Sequence, residues 1–197
     1  MHSAKRGLRA LGVAESFAGR ERSILGGVVM RRDLRVDGMA IGSCTVGGMD
    51  ATDAVIRLFE TLERRDINVL LVSGAVIAWY NIIDAPAIAR AISLPVIVVT
   101  YEASEGLADD IAHHFPGDRE RLSAYERLGE RRPVDLPTGY RVFVRSFGLA
   151  ENDAARLCSA FTLDGRVPEP IRAARLLARA VLRCGDTSGV HPQDDRL

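Results

Sequence analysis

Side chains able to form a chemical site are concentrated in residues 73–81, which read SGAVIAWYN. This stretch offers a hydroxyl at Ser73, two aromatic rings at Trp79 and Tyr80, and an amide at Asn81. Directly before it runs Val69-Leu70-Leu71-Val72, apolar throughout and too short for a free-standing helix. Such a run reads as a strand buried on both faces, the centre of an α/β sheet. Ser73-Gly74 ends the strand. Ligands of open α/β sheets bind beyond the carboxyl ends of the central strands, so residues 73–81 are the first place to look for chemistry. A site of this kind commonly places a carboxylate at the strand end; here the residue is a serine.

The elements that must position this stretch follow from hydrophobic patterning. Residues 8–16, 24–31 and 34–46 read as three strands joined by short turns, an antiparallel meander. Residues 51–66 read as a helix, with Ala54, Val55, Leu58, Phe59 and Leu62 on one stripe. Asp50 stands just ahead as a natural N-cap, a role worth about 1 kcal/mol. The strand at 67–74, a helix at 85–93 and a strand at 95–101 form a βαβ unit, expected to be parallel and right-handed. Helices are expected over 105–115, 119–130, 152–161 and 169–183, and a half-exposed strand over 140–147. Residues 131–138 contain two prolines and read as an exposed connection. The fold class is α/β: a mixed five-stranded sheet, a three-strand antiparallel meander plus parallel βαβ strands, flanked by helices and followed by C-terminal helices. RNase H-like nucleases share this plan, and flavodoxin-like folds also place helices on both faces of a sheet. A single domain over 1–185 is expected, with 186–197 a polar, disordered tail.

Bulk composition narrows the classes. The 197 residues are 47% hydrophobic and 26% charged, ordinary for one soluble domain with a sizeable core. No apolar run reaches the roughly 20 residues of a membrane helix. The basic start, MHSAKRGLRA, lacks the apolar core of a signal peptide, so a cytoplasmic protein is expected. A net charge of zero gives no bulk attraction to nucleic acid or membrane. Lys5 is the only lysine, and every other Lys/Arg base is arginine, which forks phosphate and carboxylate; a GC-biased genome produces the same skew. Cys44, Cys158 and Cys184 show no metal or disulfide spacing. His113 and His114 sit in an expected helix without a partner motif and read as structural. The oligomeric state has no signature in the chain.

Several motifs occur in order: Gly12-Val13; Val46-Gly47-Gly48-Met49-Asp50-Ala51-Thr52; Gly74 with Tyr80-Asn81-Ile82-Ile83-Asp84; Leu94-Pro95-Val96-Ile97-Val98-Val99; and Gly165-Arg166-Val167-Pro168-Glu169-Pro170-Ile171-Arg172. With this set the chain resembles the endonuclease dU family, long a domain of unknown function and related to endonuclease V. The resemblance spans about residues 5–185 and rests on the combination of GMDAT, YNIID and GRVPEPIR. It implies an RNase H-like fold and cleavage of a phosphodiester in DNA next to a deaminated base such as deoxyuridine, a repair activity dependent on Mg²⁺ or Mn²⁺. Carboxylates from neighbouring strand ends would hold the hard cation, which polarises the phosphate and activates a water.

Relatives carry a Gly-Ile/Val-Asp-Asp motif on strand one, where this chain reads Gly12-Val13-Ala14-Glu15. Their central strand ends Leu-Asp-Gly, and here it is Val72-Ser73-Gly74. The resemblance therefore assigns catalysis to Glu15, Asp50 and Ser73, with Glu15 and Asp50, joined by Asp53, as metal ligands. Substrate contacts fall to Tyr80, Asn81, Arg166 and Arg172. Each has a structural alternative: Glu15 as a solvated strand-end charge, Asp50 as helix cap, Trp79 and Tyr80 as a plug between loop and helix, Asn81 as a turn cap. Arg166 and Arg172 could equally pair carboxylates or backbone. Two alternative functions follow, neither needing a cofactor: Ala14 and Ser73 favour a DNA- or RNA-binding relative without catalysis, and the zero net charge is consistent with a small-ligand or interaction module on the same scaffold.

Overall fold

A computed structural model describes residues 7–19, 21–103 and 106–186. The first six residues and the expected tail from 187 onward lie outside the described residues.

The apolar runs form β1 (Arg9–Ser16), β2 (Arg22–Arg31), β3 (Val36–Thr45), β4 (Val69–Ser73) and β7 (Val96–Thr100). Between β4 and β7 come two-residue strands β5 (Val76–Ile77) and β6 (Asn81–Ile82), which pair with each other. Later strands are β8 (Arg132–Asp135) and β9 (Arg141–Phe147). The helices are α1 (Ala51–Glu60), α2 (Ala85–Ile92), α3 (Ala108–His114), α4 (Arg119–Glu126), α5 (Glu151–Ala160) and α6 (Glu169–Asp186).

The main sheet runs β3-β2-β1-β4-β7-β9-β8. Strands β1 to β3 are antiparallel, while β1, β4 and β7 are parallel. The expected five-stranded mixed sheet is present as β3-β2-β1-β4-β7, and antiparallel β9 and β8 extend it to seven. The expectation of an exposed connection over 131–138 is corrected by β8. Pro133 lacks a donor, but β8 is the edge strand and bonds on one side only, where proline is tolerated. Helix α1 is shorter than expected, because Glu63 turns into the left-handed region (φ 50°) and leads the chain back to β4.

Alternation along the strands sorts the core into two layers. Leu11, Val13, Leu70 and Val72 pack toward α1 and α2. Ala10, Ala14, Val69 and Leu71 pack toward α5 and α6. Helix α6 lies unusually close to the sheet: a Cβ at Gly12 would fall 2.2 Å from the Pro170 carbonyl carbon, and one at Gly26 2.2 Å from the Ala174 oxygen. Only glycine permits that approach.

At the amino edge, Arg64 binds Asp37 (2.9 Å) and Asp66 (2.8 Å), and Arg9 binds the same two carboxylates. The guanidiniums hold both carboxyls below their usual range, Asp66 at about 2 through its hydrogen bond from Arg64.

Candidate functional site

Two polar clusters meet the carboxyl edge of the sheet, one on each face. The β1–β4 register pairs Val13 with Val72, so the next step sets Ala14 beside Ser73. Both point to the α6 layer, where Ala14 is buried. The Ser73 Oγ accepts a hydrogen bond from Arg175 Nη2 (2.9 Å) and lies 3.4 Å from the Tyr101 hydroxyl. The Arg175 guanidinium stands 5.5 Å from the centre of the Tyr101 ring. Burial raises the Tyr101 phenol above its usual range, outweighing the lowering by Ser73 and Arg175, so it stays protonated.

The arginines expected to meet substrate are engaged elsewhere. Arg166 donates to the Tyr101 carbonyl (3.0 Å) and pairs with Glu102 (3.2 Å). Arg172 donates to the Asp164 carbonyl (2.8 Å) and pairs with Glu169 (3.3 Å). They brace the turn leading into α6. Arg175, which sequence reasoning missed, pairs with no carboxylate among the described residues. Its signal was the spacing of Arg172, Arg175, Arg179 and Arg183, one stripe of a helix.

On the α1 face the acidic residues are already committed. Glu15 is one residue past Ala14 and so faces the other way, where its Oε2 accepts from the Ser23 hydroxyl (2.7 Å). Asp50 occupies the cap position of α1 but makes no capping bond to it. Its carboxylate accepts instead from the Thr45 amide (3.0 Å), the Thr45 hydroxyl (2.9 Å) and Asn81 Nδ2 (2.7 Å). Burial pushes the Asp50 carboxyl up, but these donors prevail and hold it below its usual range. The first amide of α1, Ala51 N, is satisfied by Asn81 Oδ1 (3.0 Å). Asn81, expected either to read a base edge or to cap a turn, is here fully buried with its amide engaged in this bracket. Burial, reinforced by the charges of Asp50 and Glu15, pushes the Cys44 thiol up to about 12.

A Mg²⁺ or Mn²⁺ centre requires converging oxygen ligands. Glu15 and Ser73 lie on opposite faces, Ala14 has no oxygen to offer, and the Asp50 carboxylate already accepts from three donors. Asp53 is exposed on the first turn of α1. Among the described residues no group of three His, Cys, Asp or Glu side chains could hold a metal ion. The described residues, as arranged here, do not fit the metal: Glu15, Asp50 and Ser73, expected to share catalysis, do not converge.

Beyond β4 the chain makes a turn that no glycine would have announced. Ala78, Trp79 and Tyr80 all adopt left-handed backbone, φ 42°, 56° and 63°. Each such residue costs on the order of 1–3 kcal/mol and persists only where its surroundings fix it. The fixing group is Arg121, 4% exposed. It donates to the carbonyls of Gly47 (2.9 Å), Gly48 (2.9 Å) and Tyr80, pairs with Asp118 (3.0 Å), and covers the Phe115 ring at 3.9 Å. The Gly47 amide donates to the Ala78 carbonyl (2.7 Å). Trp79 is thereby held 47% exposed, with its ring centre 5.3 Å from Phe115 and 5.8 Å from His114. Tyr80 is half-buried against the same two rings, so the outward-facing aromatic is Trp79, not the expected Tyr80.

With this geometry in view, the comparisons with known proteins agree. The sequence profile described as endonuclease dU matches residues 6–182. A UPF0215 protein of Pyrobaculum calidifontis is 39% identical over 173 residues, covering 87% of this chain and 95% of the relative. A crystal structure of a protein of unknown function from Archaeoglobus fulgidus superposes with a TM-score of 0.76 at 25% identity, covering 89% of this chain and 98% of that one. Ciona intestinalis endonuclease V, in complex with DNA containing an inosine followed by a ribo-adenosine, superposes with a TM-score of 0.59 at 17% identity, covering 90% and 86%. Endonuclease V has an RNase H-like fold, and the sheet order and flanking helices here are of that type. Among the described residues no helix is long and apolar enough to cross a membrane.

Proposed function

The chain belongs to the endonuclease dU family, and on that premise we propose that it binds DNA carrying a deaminated, deoxyuridine-like base, stacking the unpaired base on Trp79. The observation that carries this reading is the clamped turn, which presents an indole beyond the carboxyl end of β4 in a conformation enforced by buried Arg121. An aromatic fixed in advance spends little rotamer freedom on binding, and base–aromatic stacking is worth about 1–3 kcal/mol. Support for the base class comes from the family's description and from the inosine, itself a deaminated nucleoside, in the DNA held by endonuclease V. Among the described residues no side-chain group fits a metal, which favours binding over cleavage.

Trp79 is the sole tryptophan, so its fluorescence reports stacking directly. Titration with a short deoxyuridine-containing single strand in EDTA is expected to quench it. Trp79→Ala is expected to weaken binding, read by anisotropy of a labelled strand, about 5- to 150-fold, the stacking energy converted to a ratio. Fluorescence unmoved by saturating DNA would reject the reading.

A second reading, repair cleavage beside the deaminated base with Mg²⁺ or Mn²⁺, is supported by the family's description as an endonuclease and by the likeness to endonuclease V, and requires Glu15 and Asp50 to leave the donors they hold here. The same DNA incubated with Mn²⁺ decides it. Nicking that disappears in the Glu15→Ala, Asp50→Ala double variant would establish cleavage; intact DNA would dismiss it.

A further inference from the structure

We propose that Ser73, Tyr101 and Arg175 form a metal-independent seat for a phosphate group, extended along α6 by Arg179 and Arg183. A guanidinium carries five donor hydrogens, and the acceptors beside Arg175 are two hydroxyls, Ser73 Oγ at 2.9 Å and the phenol of Tyr101, neither of them charged. The neighbouring carboxylates are already matched, Glu102 by Arg166 and Glu169 by Arg172. Glu15 lies on the opposite face. Among the described residues, the charge left at the carboxyl ends of β4 and β7 is therefore the positive charge of Arg175.

The chemistry of the three groups suits an oxyanion and repels a cation. Ser73 accepts from Arg175, which leaves its own proton to donate. The Tyr101 phenol, 3.4 Å away, is a second hydroxyl donor. Arginine grips phosphate bidentately, and the Tyr101 ring beside the guanidinium limits its orientations. A serine rather than an aspartate at the strand end is what keeps this positive charge available.

The rest of α6 distinguishes a chain of phosphates from a single one. Arg175, Arg179 and Arg183 recur at i, i+4 and i+8, so they form a row spanning about 12 Å at 1.5 Å per residue. Arg179 and Arg183 are exposed and pair with no carboxylate among the described residues. A lone anion would fill the seat and ignore the row; a nucleic-acid backbone uses both. The assignment of the phosphate to a DNA strand rests on the binding reading above, whereas the seat itself does not.

The experiment uses the full chain in EDTA. Affinity for an oligothymidine single strand is measured by anisotropy at several salt concentrations for the wild type, Arg175→Met, Ser73→Asp and the exposed control Arg65→Met. Arg175→Met is expected to lose about tenfold in affinity and to reduce the log–log salt slope by about 0.7, one phosphate contact on a single strand. Ser73→Asp is expected to lose at least as much, because the new carboxylate takes the guanidinium. Arg65→Met is expected to match the wild type. Separately, inorganic phosphate is titrated into the wild type while the Arg175 Nε–Hε resonance is followed by NMR, which needs no variant to fold. Normal DNA binding by Arg175→Met with an unshifted resonance overturns the seat and leaves the Trp79 reading intact. A resonance shifted by phosphate, with Trp79 fluorescence indifferent to DNA, supports the seat for a free phosphate and removes the DNA reading.

Discussion

The two faces of the sheet treat their polar groups in opposite ways at the same edge. On the α1 face, Asp50, Asn81 and Thr45 consume one another's hydrogen-bonding capacity, while Arg121 spends its own on Asp118 and the carbonyls of Gly47, Gly48 and Tyr80 and so fixes a strained turn. On the α6 face, Arg175 meets the Ser73 hydroxyl and Tyr101, pairs with no carboxylate among the described residues, and keeps donors to spare. Buried polar groups must be satisfied to be tolerated, so a saturated cluster stabilises the fold and an unsaturated, partly exposed one is available to a ligand. A charged residue near a cleft is thus judged by what it has left to give.

The contrast predicts unequal costs. Arg121→Met, which leaves three carbonyls without their side-chain donor and takes the guanidinium from Asp118, should destabilise the protein by about 3–5 kcal/mol, seen in urea unfolding. It should also shift the native emission of Trp79 as the turn relaxes. A loss below 1 kcal/mol would mean that the turn is fixed by other contacts.

Asp50 sharpens the comparison through pH. Its carboxyl is raised by burial and lowered further by Asn81 and Thr45, so its folded pKa lies below the unfolded one. A depressed carboxylate contributes stability that is fully present above the unfolded pKa and is lost as pH falls through the folded value. The stability gap between wild type and Asp50→Asn should therefore be constant near neutrality and shrink below the ordinary carboxylate range. Asp37 and Asp66 at the far edge are also held low, which is why the measurement is a difference between variants. A gap independent of pH down to 2.5 would show that Asp50 is not stabilised as a charge.

The smallest effect belongs to Arg175. Because it is half-buried and meets only uncharged hydroxyls, Arg175→Met should change stability by no more than about 0.5 kcal/mol in the same unfolding assay. A cost near that of Arg121→Met would erase the distinction between the faces.

Local pattern made much of this legible. The apolar run at 69–72, the βαβ unit and the early meander read directly as strands, because burial on two faces or one leaves a period in the sequence. The edge strand β8 did not, since Pro133 and exposed arginines look like a connection until β9 supplies a pairing partner. The left-handed run Ala78-Trp79-Tyr80 carries no glycine, so nothing local reports it; Arg121, about forty residues away, imposes it. Glu15 next to Ala14 looked like a near-replacement for a lost carboxylate, yet the pleat turns it to the other face.

Residue type alone determined that the strand ends lack the aspartates of a metal centre and that the chain carries the ordered motifs of its family. Tertiary structure decided which polar groups are spent and which remain free. That division depends on contacts between residues as far apart as Ser73 and Arg175, and a hydrogen bond across such a separation leaves no periodic trace in the chain.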